Sequence, residues 1–462
     1  MKSRLLLCTA LLAALTQSAA ALPNLSGRPV PELEWLDTKL QVYMDLHGIQ
    51  SGVVGIMRNG TVIYLRGAGW LNLNTLTPLP ETALFRLASC TKPITAAAIR
   101  HLIRTGAFDD DDLVFSPGTQ SGLLGSDYRP WPQTGDSRIR DITVDHLLRH
   151  RGGWDREIAG DLTRMEEDIA DDMDVASPPG RTNTMRWILG QPLEFTPGAR
   201  YAYSNIGYLA LGLLVTEYAP NGHLNYLHQQ VLTPDMWVPS TELVRTRTFD
   251  ADNDPREPRY QSDIAGCVFD EGCEGGLEPR EAYGGVDMEA RLGQGGISAS
   301  ASAMLNLARN YHISPGTGQR IVDVPFSGTE SHNGALPGIN TLLVHTDNTG
   351  DGDICLFIAF SRDASEGHYA TEFFEQIEND LLHESQTWPT KRCDGFWVAP
   401  AGGGSAVHGS YTYPFQSMAS AVAATTAGSR LRLKPGSGAF SGTLNKRLIL
   451  DAPLGAATIG VN

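Results

Sequence analysis

A single proline sets the frame for this chain. Pro93 heads an apolar run, Ile94, Ala97, Ala98, Ile99, Leu102 and Ile103, that repeats at helical spacing and stops at Gly106. Proline is tolerated only in the first turn of a helix, because it lacks an N–H and its ring clashes with the preceding turn. The helix therefore starts near Ser89. Ser89 and Lys92, three residues apart, then share one face of its first turn. A serine hydroxyl is a poor nucleophile until a base takes its proton. A lysine serves as that base where a desolvated site lowers its pKa. Amides at the helix N-terminus add a field that favours negative charge on the serine oxygen. Ser-x-x-Lys also arises by chance, and alone it reads equally well as a capping serine beside a solvated lysine.

Two later segments decide between these readings. Tyr203-Ser204-Asn205 lies between Phe195-Thr196-Pro197-Gly198 and the apolar run 206–215. His332-Asn333-Gly334 precedes a predicted strand, 339–345. Ser-x-x-Lys, then Tyr-x-Asn, then a basic residue two before a glycine, in that order, resembles the penicillin-recognising serine hydrolases. That superfamily holds class C β-lactamases, D,D-peptidases, D-aminopeptidases and related esterases and transesterases. The segment from Asp145 through His150 to Gly152-Gly153 is similar to the stretch between the family's first two motifs. Gly295-Gly296-Ile297-Ser298 is similar to its glycine-rich approach to motif three. The resemblance covers roughly residues 33–385.

The resemblance implies an α+β fold of the β-lactamase/transpeptidase type. An antiparallel sheet flanked by helices meets a mostly helical subdomain, and the active site lies in the cleft between them. It also implies roles. Ser89 attacks a carbonyl and becomes acylated. Lys92, neutral at that moment, takes the hydroxyl proton directly or through Tyr203. A phenol titrates near 10 in water, so Tyr203 needs a positive neighbour to act as a base, and Lys92 is the expected one. Tyr203 then protonates the leaving group and activates water. Asn205 is expected to hold Lys92 and to donate toward the substrate, although it reads equally as the N-cap of the next helix. The backbone amides of Ser89 and Ala335 are the implied oxyanion donors, and Gly334 leaves room for substrate along the strand. His332 either orients substrate or bonds to the backbone, with Asn333 beside it. Many relatives carry lysine where this chain has His332. Histidine is mostly neutral at pH 7, so firm recognition of a substrate carboxylate is not expected from that position. This tilts the reading toward an ester, or an amide or peptide without that demand.

The remainder of the sequence bounds the setting. Lys2 and Arg4, an apolar stretch over 5–15 and Ala19-Ala20-Ala21 read as a secretory signal over residues 1–21, too short in its apolar part to span a bilayer. Secretion or export to the periplasm is expected. Losing Lys2 and Arg4 takes the net charge from -16 to -18. A body this acidic, with no basic cluster, argues against nucleic acid or an anionic membrane as a partner. The expected partner, from the resemblance, is a small-molecule ester, amide or peptide substrate. Cys267 with Cys273, and Cys355 with Cys393, are candidate disulfides of an exported protein, and Cys90 is expected to be a free buried thiol. No Cys/His spacing suggests zinc. The acidic segment 347–353 resembles a calcium loop but has Ile358 where a bidentate glutamate is needed, so it reads as a hairpin turn. No metal and no cofactor are expected.

The chain divides into the signal, a hydrolase domain over 22–390 and a Gly/Ala/Ser-rich extension over 391–462, with Ala401-Gly402-Gly403-Gly404-Ser405 as a linker. Helices are predicted at 33–46, 300–311 and 371–383, a hairpin at 53–65 around Asn59-Gly60, and strands at 340–345 and 354–361. Short runs at 431–433 and 448–450 read as strands of the extension. Three rival functions stay open. One is a transesterase or β-lactamase using the same residues. The second is a vestigial binding or sensor protein. The third, resting on the extension, is a cell-wall-binding module.

Overall fold

The computed structural model describes residues 22–115, 122–132, 134–232, 238, 240–262, 266–269, 282–314, 316–347, 352–362, 368–382, 387–390, 392–399, 414–425, 429–438, 443–452 and 456–459. The expected signal, the 401–405 linker and most of the acidic segment 347–353 lie outside the described residues.

The hairpin predicted around Asn59-Gly60 forms the middle of the molecule. β1 (Leu25–Ser26), α1 (Glu34–Leu46), β2 (Ser51–Arg58) and β3 (Thr61–Asn72) follow in turn. Asn59 and Gly60 both take positive φ, 48° and 73°, as a two-residue turn between twisted strands requires. The chain then leaves the sheet, enters α2 (Thr91–Arg104) and crosses a helical region. That region includes α3 (Val144–Leu148), α4 (Arg156–Ala159) and α5 (Asn205–Tyr218). It returns through α6 (Ala301–Asn310), capped by Ser300, and completes the sheet with β4 (Thr329–Leu336), β5 (Ile339–Thr346) and β6 (Ile354–Phe360). α7 (Tyr369–Leu382) closes the body.

The strand order is β1-β3-β2-β6-β5-β4, every neighbour antiparallel, with Thr77–Pro78 paired to β3. β5 and β6 are buried at every position, because helices cover them. β4 alternates instead: Ser331, Asn333 and Ala335 are exposed, and His332 and Gly334 are buried. Period-two alternation is the mark of an edge strand with one face on the core. An antiparallel sheet flanked by helices is the architecture the resemblance implies.

The described part of the extension contributes a parallel ladder of Phe396–Val398, Arg430–Leu433 and Ile449–Asp451, which places strands where the two apolar runs predict them. It has an apolar cluster of its own around Phe396, Val398, Phe415, Met418, Leu431 and Leu433. It reaches the body through the Cys393 N–H, which donates to Val62 O at 2.7 Å on the outer edge of β3.

That docking overturns one expectation. Cys355 and Cys393 are free, buried thiols. Cys355 on β6 pairs across to Met57 on β2, Met57 pairs to Val62 on β3, and Cys393 lies beyond Val62. Strands are spaced about 4.8 Å apart, so these steps exceed the roughly 7 Å Cα limit for a disulfide. Cys393 Sγ instead donates to Ile63 O at 3.0 Å. Cys90 is free and buried as expected. Cys267 is not one of the free thiols, and its expected partner Cys273 lies outside the described residues.

Candidate active site

The nucleophile segment is held between two layers. Leu84–Arg86 pairs antiparallel with Ile297–Ser300, which itself pairs with Leu243–Arg245. The chain then turns through a short 3-10 segment, Ala88–Cys90, directly into α2. Pro93 sits in the first turn of α2, as its chemistry demands. Ala88, just before the serine, holds φ at +47°, a left-handed conformation that a residue with a Cβ adopts only under constraint.

Three side chains then converge. Lys92 Nζ donates to Ser89 Oγ at 3.0 Å, and Tyr203 OH donates to the same oxygen at 2.8 Å. Ser89 and Tyr203 are half-buried, whereas Lys92 is fully buried. Lys92 Nζ also donates to Gln294 O at 2.9 Å and lies 5.0 Å from the Tyr203 ring centroid. The expectation for Asn205 is met only in place. Ser204, not Asn205, caps α5, its hydroxyl accepting from the Gly207 N–H. Asn205 Nδ2 donates to Asp161 Oδ2 at 2.6 Å, while the hydrogen bonds of Lys92 go to Ser89 and Gln294. Burial works to raise the Asp161 carboxyl. The charge of Arg291 and the hydrogen bonds from Asn205 and Thr163 outweigh it and hold the group below its usual range.

β4 forms the other wall. A Cβ on Gly334 would stand 2.4 Å from Leu87 O, 2.4 Å from Thr341 Oγ1 and 3.0 Å from the Ser89 N. Only a glycine allows the strand to approach the nucleophile's backbone so closely. His332 is buried, with Nδ1 3.3 Å from Ile313 O. Burial first, and the charge of Lys92 second, push its imidazole down to about 3. His332 is therefore neutral near pH 7 and presents no cation to the cleft. Asn333 and Ala335 are exposed on the same strand.

Sequence reasoning missed His150 as part of the site. Its ring stacks on that of Tyr203, with centroids 4.6 Å apart and planes at 25°. His150 Nδ1 accepts from the Ser204 N–H at 3.1 Å, which ties the ring to the segment that carries Tyr203. The residue has a left-handed φ of 55°. Burial, then the charge of Lys92, pushes it down to about 3. Nδ1 is thus the acceptor of a neutral ring, and the proton sits on the buried, unpartnered Nε2. Asp161, Gln294 and Arg156 were also missed. Arg156 lies with its guanidinium carbon 4.8 Å from the Tyr203 ring centroid. Trp154 packs as a core residue against Phe115, and Asp155 caps α4, so neither joins the site.

Among the described residues, His345, Asp353 and Cys355 form a cluster with metal-ligand chemistry. His345 Nε2 is 2.8 Å from Asp353 Oδ1, and Arg309 Nε donates to Asp353 Oδ2 at 2.7 Å. A guanidinium on the shared carboxylate opposes a metal cation there.

With this geometry in hand, the relatives are informative. The Beta-lactamase family model matches residues 36–350. Esterase EstB of Burkholderia gladioli is 34% identical over 168 residues, which is 35% of this chain and 39% of that protein. Protein flp of Staphylococcus aureus (strain COL) is 25% identical over 201 residues, 43% of this chain and 36% of that protein. The chain thus spans well under half the length of these curated relatives. Among solved structures, EstCE1, a hydrolase with promiscuous acyltransferase activity, superposes with a TM-score of 0.53 at 18% identity over 75% of this chain and 98% of its own. The octameric penicillin-binding protein homologue from Pyrococcus abyssi gives 0.52 at 17% identity over 76% of this chain and 78% of its own. At such identities these two show the shared fold.

Proposed function

The chain belongs to the Beta-lactamase family, and from that premise we propose that it is an exported serine hydrolase that cleaves an ester or an amide through an acyl-Ser89 intermediate. One observation carries the reading: a lysine side-chain nitrogen and a tyrosine hydroxyl meet on a single serine oxygen, at 3.0 and 2.8 Å, from positions over a hundred residues apart in sequence. A capping serine needs neither partner.

For attack, one of these hydrogen bonds reverses. The Ser89 hydroxyl gives its proton to neutral Lys92, directly or through Tyr203 as that phenol passes its own proton to Lys92, as the serine oxygen bonds to the substrate carbonyl carbon. The carbonyl π pair moves onto oxygen and is met by backbone N–H donors, for which Ser89 N and Ala335 N are the candidates. Collapse breaks the bond to the leaving alcohol or amine, Tyr203 supplies its proton, and Lys92 returns to Tyr203 the proton it took from Ser89. Water then repeats the sequence on the acyl-serine. Tyr203 is ready to handle protons on the leaving-group side because its ring is fixed by His150 and its hydroxyl by Ser89. Asp161 fixes Asn205 in the same wall.

The neutral, buried state of His332 favours an ester or uncharged amide over a substrate whose carboxylate must be held by that strand. EstB is named as an esterase, and its similarity supports the same preference. The charged start, apolar stretch and small residues of the sequence pattern over 1–21 support export. The reading is tested with short-chain aryl esters. Purified protein is expected to hydrolyse them, and Ser89→Ala is expected to fall to the buffer rate with its thermal unfolding retained. Full activity in Ser89→Ala would remove Ser89 as nucleophile.

A further inference from the structure

Resting on the reading of Ser89 as nucleophile and Tyr203 as proton donor to the leaving group, we propose that Arg156 forms a subsite for a carboxylate carried on the leaving-group side of the substrate. A leaving group protonated by Tyr203 must lie against Tyr203. Arg156 is at the same place, its guanidinium carbon 4.8 Å from the Tyr203 ring centroid. Tyr201, two residues earlier, is 56% exposed, and its ring meets His150 edge-on at 5.6 Å. The charge of Arg156 acts on Tyr201 as well, against the upward push of burial on that phenol. The structure therefore sets an arginine against the ring of the tyrosine whose hydroxyl meets Ser89 Oγ. Guanidinium recognises a planar carboxylate through paired N–H donors and tolerates aromatic faces on its flanks.

The guanidinium is available. Its acidic neighbour Glu157, 81% exposed, accepts only from Nε, at 3.3 Å. Exposed pairs of this kind contribute little and are readily exchanged. Arg200 is differently engaged. It is paired to Asp155 at 2.6 Å and stacked 4.2 Å over Phe195. Lys92 is fully buried and engaged with Ser89 and Gln294. The strand opposite presents Asn333 and Ala335, and its histidine is buried. Arg156 thus offers a substrate anion a cation beside Tyr203, in a chain whose net charge is -16.

The test compares two acetate esters that differ in one charge: that of 4-hydroxybenzoic acid and that of its methyl ester. kcat/KM is measured for both with the native protein, Arg156→Gln, Arg156→Lys and Arg156→Glu. Each ester is compared across enzymes, so intrinsic leaving-group reactivity cancels. The carboxylate ester is expected to fall about tenfold more than the neutral ester in Arg156→Gln, and further in Arg156→Glu, with partial recovery in Arg156→Lys. Salt at about 0.5 M is expected to erode the preference of the native protein and not that of Arg156→Gln. Equal losses for both esters would overturn the subsite and make Arg156 a positioning residue for Tyr203. No loss with either ester would overturn it too. If the native protein neither turns over nor becomes acylated at Ser89 with either ester, the hydrolase reading itself has failed, and the subsite falls with it.

Discussion

On the helical wall of the cleft, Lys92 and Tyr203 both reach Ser89 Oγ with ionisable side chains, at 3.0 and 2.8 Å. The strand wall meets the same serine with backbone: Gly334 packs where a Cβ would sit 3.0 Å from the Ser89 N, and His332 is neutral and turned to Ile313 O. One wall handles protons and charge. The other sets distance and offers main-chain donors. The two should therefore respond differently to mutation: the helical wall to loss of a functional group, the strand wall to added volume.

The helical wall gives the largest effects. Lys92→Ala removes the proton acceptor and leaves a hole in a fully buried position, and Tyr203→Phe keeps the ring stacked on His150 while deleting its hydroxyl. Each is expected to lower the acylation rate about 10²–10⁴-fold, read by rapid-mixing kinetics on a chromogenic ester. Normal acylation in Lys92→Ala would move the base elsewhere and dissolve the contrast between the walls.

On the strand wall, Gly334→Ala adds one methyl that meets Leu87 O and Thr341 Oγ1 at 2.4 Å. Neither can yield cheaply, because one is backbone and Thr341 Oγ1 already donates to Leu87 O at 2.9 Å. The strand must move away from Ser89. Loss of about 10²-fold in kcat is expected, the cost of misplacing an oxyanion donor, although no ionisable group has changed. Serine labelling by a phosphonate should slow in parallel. An unimpaired Gly334→Ala would mean that β4 does not set the distance.

A smaller effect separates buried from exposed histidines. His150, His223 and His332 are each pushed down to about 3, chiefly by burial. An unfolded histidine titrates near 6.5, so between about pH 6.5 and pH 3 the unfolded chain binds protons that the folded chain refuses. Their stabilising effect is complete above about pH 6.5 and is lost steadily as pH falls. Each histidine adds about 1.4 kcal/mol per pH unit to that slope. Denaturant titrations at stepped pH should show it. His150→Gln, which keeps an acceptor for the Ser204 N–H, should reduce the slope by about one proton. An unchanged slope would show that His150 is charged in the folded protein.

Much of the site was legible because it is written in short-range spacing. Pro93 and the i, i+3 rule place Lys92 on Ser89, and Asn59-Gly60 locates the central hairpin. The strand wall was legible only through the ordered motifs, which read Gly334 as room for substrate, whereas the structure fills that room with the nucleophile's own backbone at Leu87 O and Ser89 N. What was not legible depends on contacts across the fold. His150 reaches Tyr203 only because positive φ turns its segment back on 201–204. The partner of Asn205 is Asp161, 44 residues away, on a loop whose length carries no periodic signal. The pairing of Cys355 with Cys393 failed for the same reason: two thiols near in sequence are kept apart by the strand order, which interposes β2 and β3.

The central claim is that Ser89 is the nucleophile held by the helical wall. Intact-protein mass spectrometry after incubation with a fluorophosphonate tests it most directly. The account predicts one phosphonyl adduct on the native protein, mapped to the peptide carrying Ser89, and none on Ser89→Ala. Equal labelling of both proteins, or a single adduct mapped to another residue, would contradict it.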